Sequence, residues 1–238
     1  MLADRPLGLG FPSDIAQSAY YPSNEWLTQE ELATISKIME DNSIYLENTR
    51  VHKHETDVRI VYDILQASTQ DAEPIELQNS SYGKFRLVGG DHRKELQMIC
   101  SHFYEARKYV SNPTQESILS LYQDSFTTGN IENYKESQRL WIKDLQPSVE
   151  AIFGFVEPYR DPMGVRAEFE GLVAITDKEE TQTLTKLVDN SDKFIRRLPW
   201  ALDTEENDGK GPFEMELFEK PDFTSLHSKH YRRTTDWG

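Results

Sequence analysis

An α+β fold is predicted by two observations on the amino-acid sequence. Several segments place apolar residues at helical spacing behind polar cap residues, whereas other segments are rich in β-branched and aromatic residues that alternate with polar ones. The chain has 238 residues, which is enough to bury a core as one large domain or as two small ones.

The first helix and the first two strands are predicted near the amino end. Thr28 and Glu31 form a capping box, so a helix is expected over about 28–41. Strands are expected over 48–53 and 58–67, the second because it is rich in β-branched and aromatic residues.

Two histidines, His52 and His54, stand in a charged segment at these strands. Histidines at i and i+2 would suit a metal ion, but in a charged hairpin such residues are usually solvated surface. The single cysteine leaves no Cys cluster either, so no metal ligand is assigned.

Three consecutive helices are predicted in the middle of the chain. Residues 71–81 are polar and expected to form a loop, and 84–88 a short strand. Asp91 is expected to cap the first of the three helices, Gly129 ends the second, and the third ends near Leu145. Their apolar stripes are assigned to the core.

The remainder of the chain divides at two composition changes. Two apolar strands within 149–174 flank a turn, and Asp177 is expected to cap a helix with an apolar inner side. Three regions are therefore predicted: residues 1–176 as a β-core with helices, 177–200 as a helix, and 201–238 as an acidic loop and an unpacked tail.

Composition excludes several classes of function. A net charge of -15 argues against a nucleic-acid partner and fits either a cationic ligand or simple solubility. Cys100 is the only cysteine, which excludes an internal disulfide and favours the cytosol or the nucleus. No apolar leader and no membrane-length apolar run occurs, so we expect a cytoplasmic protein without a membrane partner.

Glu157 and Tyr159 are the strongest candidates for a functional site. A carboxylate binds an ammonium group through charge-assisted hydrogen bonds, and a phenol donates to an oxyanion that develops during acyl transfer. Because the two residues are two apart, a strand would place both side chains on the same face.

Four further polar residues surround the same turn. Glu168 and Glu170 are also two apart, so one of them could add a second carboxylate to that face. Arg160 and Asp161 are expected to pair and to fix the turn, and a purely structural role for the whole group is the competing interpretation. The chain holds no HExxH, CxxC, GxSxG or Walker motif, so the residues alone do not indicate an independent hydrolase.

The residues around this turn are Gly-Phe-Val-Glu-Pro-Tyr-Arg-Asp-Pro over 154–162 and Arg-Ala-Glu-Phe-Glu-Gly-Leu-Val-Ala over 166–174. They resemble a specific signature of the dipeptidyl peptidase III family of zinc-dependent exopeptidases. The resemblance extends from about residue 5 to residue 226. Further matching segments are Leu46–Arg50, Ser125–Ile131, Trp141–Asp144, Leu198–Trp200 and Pro221–Leu226.

The resemblance implies a two-lobed enzyme that removes dipeptides from the free N-termini of short peptides. Its lower lobe has a small mixed or antiparallel β-barrel-like sheet with helices around it, and its upper lobe binds zinc. By resemblance, Glu157 holds the amine of the peptide, Tyr159 stabilises the reacting carbonyl, and Glu170 is a further carboxylate near the amino end of the substrate.

The chain also departs from the family pattern. The family's zinc motif, His-Glu-x-x-Gly-His, does not occur, and the sequence from His227 onward does not resemble the family. We therefore expect lower-lobe, substrate-binding residues without bound zinc, and no activity of this chain by itself. A non-catalytic peptide-binding module and a truncated gene product are the alternatives, and exposed strand edges predict self-association.

Overall fold

The computed structural model describes residues 18–23, 25, 27–80, 82–145, 147–190, 193, 194, 197, 199 and 225–231. Its helices and strands are, in chain order, α1 Gln29–Asp41, β1 Thr49–Glu55, β2 Ile60–Ala67, β3 Ile75–Ser80, β4 Gly83–Asp91, α2 Arg93–Ala106, α3 Pro113–Thr128, α4 Ile131–Trp141, β5 Val149–Glu157, β6 Glu168–Asp177, α5 Lys178–Asp189 and β7 Ser225–Tyr231. The α+β class is confirmed. No helix among these residues is both long and apolar enough to cross a membrane.

The described strands form two separate sheets. One has the order β1-β2-β4-β3 and the other the order β5-β6-β7. The barrel-like sheet implied by the family resemblance is therefore not found within the described residues, where each sheet is open. The chain divides into two compact units, the first holding residues up to Asp144 with Ile152–Gly171, and the second holding Leu145–Ala151 with residues from Leu172 to His230.

The four-stranded sheet is mixed. Strand β2 pairs antiparallel with β1 and parallel with β4, and β4 pairs antiparallel with β3. Strand β3 lies within 71–81, where the sequence predicts a loop. The prediction failed because β3 is an edge strand: it gains its hydrogen bonds from β4 and buries few side chains, and Ile75 is 58% exposed.

Helix α1 covers this sheet and forms the first core cluster with it. The predicted capping box is confirmed, since Thr28 Oγ1 accepts from Glu31 N at 3.1 Å and Glu31 Oε2 accepts from Thr28 N at 2.7 Å. The rings of Tyr62 and Phe85 stack with centroids 4.7 Å apart. The buried apolar side chains of this cluster are Tyr21, Leu27, Leu32, Ile35, Ile38, Met39, Val51, Tyr62, Ile64 and Phe85.

Helices α2, α3 and α4 build the second core cluster, which is aromatic. Phe103 is at its centre, with its ring centroid 5.0 Å from that of Phe153 and 5.9 Å from that of Phe126. The predicted apolar stripes of α2 and α3 are confirmed as core. The third predicted stripe is wrong at its end, where Ile142 and Leu145 are 63% and 66% exposed. The buried members of the cluster are Ala67, Leu96, Cys100, Phe103, Ile118, Tyr122 and Phe126, and Phe155 and Phe169 pack against them.

One predicted helix end is confirmed by the structure and another is wrong. Gly129 ends α3 with φ 77°, the left-handed conformation that glycine adopts without strain, as predicted. Asp91 does not cap α2. His92 is the N-cap residue, and the Asp91 carboxylate instead accepts from Arg50 Nε at 2.8 Å and from Arg50 Nη2 at 2.6 Å.

The second unit contains α5 and β7. Asp177 caps α5 as predicted, and its Oδ1 accepts from Glu179 N at 2.9 Å and Glu180 N at 3.0 Å. The predicted apolar inner side of this helix is wrong for the described residues, none of which is buried; Leu187 is 51% exposed. Strand β7 adds to the sheet of β5 and β6, within the region where the sequence predicts an unpacked tail. The rest of 201–238 lies outside the described residues.

Candidate functional site

The connection between β5 and β6, residues 158–167 and called here the turn, is organised around one buried carboxylate. Asp161 is 5% exposed. Its Oδ1 accepts from Met163 N at 3.2 Å, and its Oδ2 accepts from Val165 N at 3.0 Å and from Arg166 N at 2.8 Å. One side chain therefore satisfies three backbone donors that a turn would otherwise leave unpaired.

A tyrosine from the amino-terminal part of the chain completes this arrangement. Tyr21 Oη donates to Asp161 Oδ1 at 2.6 Å, and Arg166 Nη1 donates to Tyr21 Oη at 3.3 Å. The Arg166 guanidinium also lies 5.3 Å from the centroid of the Tyr21 ring, within the range of a cation–π interaction. We call Tyr21, Asp161 and Arg166 the buried triad.

The buried triad joins the turn to the first core cluster. Tyr21 and Arg166 are 1% and 0% exposed, and Ala167 N donates to Glu47 O at 2.9 Å. Burial raises the pKa of Tyr21 above its ordinary value, although the charge of Arg166 opposes this, so the phenol stays protonated and can donate. The turn is therefore held by buried polar contacts.

Arg160 does not pair with Asp161 as the sequence predicts. Its Nε lies 3.9 Å from Glu168 Oε2, across the turn at the start of β6. Asp161 makes the described contacts with Tyr21 and the backbone instead, because its carboxylate points into the turn. The two neighbours thus have separate roles, and only Asp161 fixes the turn directly.

Glu157 and Tyr159 lie at the same end of β5 but in different environments. Glu157 is the last residue of the strand and is half-buried, whereas Tyr159 lies in the turn and is 74% exposed. The prediction that a strand places both on one face fails, because the strand ends before Tyr159. The exposed Tyr159 ring is accessible to a ligand.

Glu170 lies on β6, separated from Glu168 by a core residue. The Phe169 ring packs with its centroid 5.3 Å from that of Phe155 and 5.7 Å from that of Phe126. Glu168 and Glu170 lie on β6 on either side of Phe169. That one of them adds a second carboxylate to the face of Glu157 stays a prediction from the alternation of side chains along a strand. Glu157, Tyr159 and Glu170 lie on the two sides of the turn and within it, and we call them the rim residues of the turn.

Two tyrosines next to these carboxylates were not predicted as part of the site. Burial, and then the charges of Glu168 and Asp161, raise the pKa of Tyr20 above its ordinary value. Burial, Tyr122 and the charge of Glu170 raise the pKa of Tyr134 to about 12. Both phenols therefore stay protonated at neutral pH. The sequence offers no local signal for them, because each comes from another element.

Tyr134 also covers the middle of β5. A Cβ atom on Gly154 would lie 2.4 Å from Cε2 of the Tyr134 ring. No larger residue fits there without displacing the ring. This contact packs α4 against the strand that leads to Glu157.

A cavity of about 340 Å³ lies beside the turn, within the first unit. Its apolar walls include Phe153, Phe155 and Phe169, and its polar walls include Arg160 and Glu168. The volume is at the lower end of the range of small-molecule pockets. The rim residues and Asp161 are not among its walls. Of the residues predicted around the turn, Arg160 and Glu168 line the cavity.

The turn offers carboxylates and phenols but no set of zinc ligands. Among the described residues, the single group of three or more potential metal ligands is His52, His54 and Asp63, which lies on β1 and β2. Carboxylates and phenols are groups that suit recognition of a cationic or hydrogen-bonding ligand.

Comparison with known proteins gives consistent matches. A family model described as peptidase family M49 matches residues 1–234. Dipeptidyl peptidase 3 of Dictyostelium discoideum is 39% identical over 209 residues, covering 88% of this chain and 28% of that protein. The human dipeptidyl peptidase 3 is 32% identical over 232 residues, covering 93% of this chain and 30% of that protein.

A solved structure of DPP III from Caldithrix abyssi is 21% identical and has a TM-score of 0.49, covering 76% of this chain and 30% of that one. The chain spans about 30% of the length of the curated relatives that it matches. Because the family model accounts for nearly every residue, the chain belongs to peptidase family M49.

Proposed function

We propose that this chain supplies substrate-binding residues of a dipeptidyl peptidase, a zinc metallopeptidase that releases dipeptides from the free N-termini of short peptides. The relatives are named dipeptidyl peptidase 3, which supports the type of reaction. The observation that carries the proposal is the position of Glu157, Tyr159 and Glu170 at a turn held by buried polar contacts.

The ammonium group of the peptide is assigned to the carboxylates. Glu157 is half-buried, so an ion pair with an ammonium group there is less screened than one on an open surface. Glu170 lies on the adjacent strand and provides a second carboxylate at the same sheet. A peptide with a blocked N-terminus presents no charge to either residue.

The carbonyl group of the peptide is assigned to Tyr159. Its phenol is exposed and is an ordinary hydrogen-bond donor for a carbonyl oxygen. Such a donor accelerates acyl transfer only when it faces the charge that develops in the transition state. We therefore assign Tyr159 the stabilisation of the reacting carbonyl.

The hydrolytic step requires groups beyond these 238 residues. In a zinc peptidase the metal supplies a Lewis acid and an activated water. The motif His-Glu-x-x-Gly-His does not occur in the sequence, and the turn offers no set of zinc ligands among its described residues. We propose that the 238-residue chain binds peptides and does not cleave them.

Calorimetric titration of the chain with a short peptide, alongside dipeptide release in the presence of zinc, tests the proposal. Saturable binding of the free peptide, weaker binding of its N-acetylated form and no dipeptide release are the expected results. Equal binding of the two peptides would contradict the role of the carboxylates, and dipeptide release would contradict the assignment of the chemistry to residues outside the chain.

A cytoplasmic location and self-association of the isolated chain belong to the same proposal. Cys100 is the single cysteine and is buried, and burial raises the pKa of its thiol.

Strand β3 is an edge strand with an exposed Ile75, which is a surface that a second chain can pair with. Size-exclusion chromatography is expected to show species larger than the monomer.

A further inference from the structure

Three potential metal ligands share one face of the four-stranded sheet, whereas the proposed function is assigned to residues at the strands of the other sheet. Strand β1 is at the edge of this sheet. His52 and His54 are two apart on β1, so their side chains are on the same face. Asp63 on β2 is the direct cross-strand partner of His52. The pairing of β1 with β2 thus brings two imidazoles and one carboxylate together.

The distances within this group are close to those of a metal site. His54 Nε2 lies 3.0 Å from Asp63 Oδ2, and the potential ligand atoms of all three residues lie within 4.8 Å of one another. Zinc–ligand bonds of about 2.0–2.1 Å in a tetrahedral site place ligand atoms roughly 3.3 Å apart. His54 and Asp63 are therefore already near this spacing, and a ligand atom of His52 lies within 4.8 Å of theirs.

The group is open to solvent on one side and fixed on the other. The His54 side chain is 33% exposed, whereas that of Asp63 is 11% exposed. Arg86 Nε and Nη2 donate to the two oxygens of Asp63 at 2.7 and 2.8 Å, which fixes the carboxylate. A carboxylate has about four acceptor positions, and Arg86 takes two of them, so Asp63 retains a position for a metal. The metal would replace the contact between Asp63 and His54.

We propose that His52, His54 and Asp63 form a binding site for a divalent transition metal of the zinc type, with water as the remaining ligand. Imidazole and carboxylate donors suit zinc and its neighbours in the first transition row rather than calcium or magnesium. The positive charge of Arg86 opposes the cation, so we expect modest affinity. A bound ion links β1 to β2 and stabilises the edge of the sheet.

Titration of zinc chloride into the full 238-residue chain, followed by calorimetry, tests this site. We expect saturable binding in the wild type and at least about 10-fold weaker binding in His52→Ala and in His54→Ala, since even residues that only orient metal ligands affect affinity 10- to 100-fold. His102→Ala is the matched control, because His102 is an exposed histidine on α2. It should bind zinc as the wild type does.

Cobalt provides a second readout that reports coordination directly. Cobalt bound by these residues is expected to give the visible absorption of a low-coordinate site in the wild type and in His102→Ala, and to lose it in His52→Ala. Circular dichroism checks that each variant is folded. If His54→Ala does not fold, His52→Ala alone decides the test. Unchanged zinc affinity in the folded His52→Ala variant, or no zinc binding by the wild type, would overturn the proposal.

Discussion

The rim and the interior of the turn between β5 and β6 carry similar acidic and phenolic groups in opposite environments. Asp161 and Tyr21 are buried and hydrogen-bonded to each other and to their surroundings. Glu157, at the end of β5, is half-buried, and Tyr159, in the turn, is exposed. The same chemical groups hold the turn where water is excluded and are available to a ligand where it is not.

Whether a residue holds the turn or is available to a ligand depends on its burial and not on its position in the sequence. Arg160 and Asp161 are adjacent, yet Arg160 contacts Glu168 at 3.9 Å while Asp161 accepts three backbone hydrogen bonds. Because an unsatisfied buried polar group costs far more than an exposed one, we expect stability to depend on the interior and binding to depend on the rim.

The largest effect is expected for Asp161→Ala. The substitution leaves three backbone N–H groups and the Tyr21 hydroxyl without their acceptor, and each buried unsatisfied donor costs about 1–3 kcal/mol. We expect the free energy of unfolding in urea to fall by about 4 kcal/mol. Arg160→Ala, in the same turn, is the control and should change it by less than about 1 kcal/mol. Equal losses in the two variants would remove the distinction between interior and rim.

A smaller loss is expected for Gly154→Ala. The added Cβ would lie 2.4 Å from the Tyr134 ring, so either the ring or β5 must move. Forcing extra atoms into a packed region typically costs about 1–3 kcal/mol. Thermal unfolding of Gly154→Ala beside Gly164→Ala is the measurement. At Gly164 no heavy atom lies within 4 Å of an added Cβ, but φ is +66°. The stability lost in Gly164→Ala therefore reports backbone strain alone.

Tyr159→Phe is expected to leave stability unchanged within about 0.5 kcal/mol, because the residue is exposed. Its effect on the affinity of the free peptide is expected to be small as well, since one neutral hydrogen bond contributes about 0.5–1.5 kcal/mol. Urea unfolding and calorimetry on the same preparation measure both quantities. A large loss of stability would place Tyr159 in the interior group.

The sequence predicted elements whose signals are local and missed those that depend on distant residues. The capping box at Thr28, the glycine at 129 and the cap at Asp177 each define a helix end within a few residues, and all three are confirmed. Strand β3 was missed because an edge strand with exposed side chains has the composition of a loop. Asp91 was misassigned because its partner, Arg50, is distant in the chain.

The same reasoning applies to the site. The turn was found from its concentration of Glu, Tyr, Arg and Asp, which is a local signal. Asp161 was predicted to fix the turn, but with Arg160 as its partner. Its hydrogen bond with Tyr21 was missed, because Tyr21 lies 140 residues away in the sequence. Tyr20 and Tyr134 were missed for the same reason, since packing brings them to the turn and no spacing within the segment predicts them.

The ratio of affinities for a short peptide and its N-acetylated form, measured in the wild type and in Glu157→Gln, tests the central claim most directly. A charge-assisted hydrogen bond contributes about 1.5–3 kcal/mol, so we expect the wild type to prefer the free amine by about 10- to 100-fold. In Glu157→Gln the ratio should fall towards one, with unfolding unchanged. Glu73→Gln, at an exposed carboxylate elsewhere, should keep the wild-type ratio. A wild-type ratio retained in Glu157→Gln would contradict the assignment of the rim to the peptide amine.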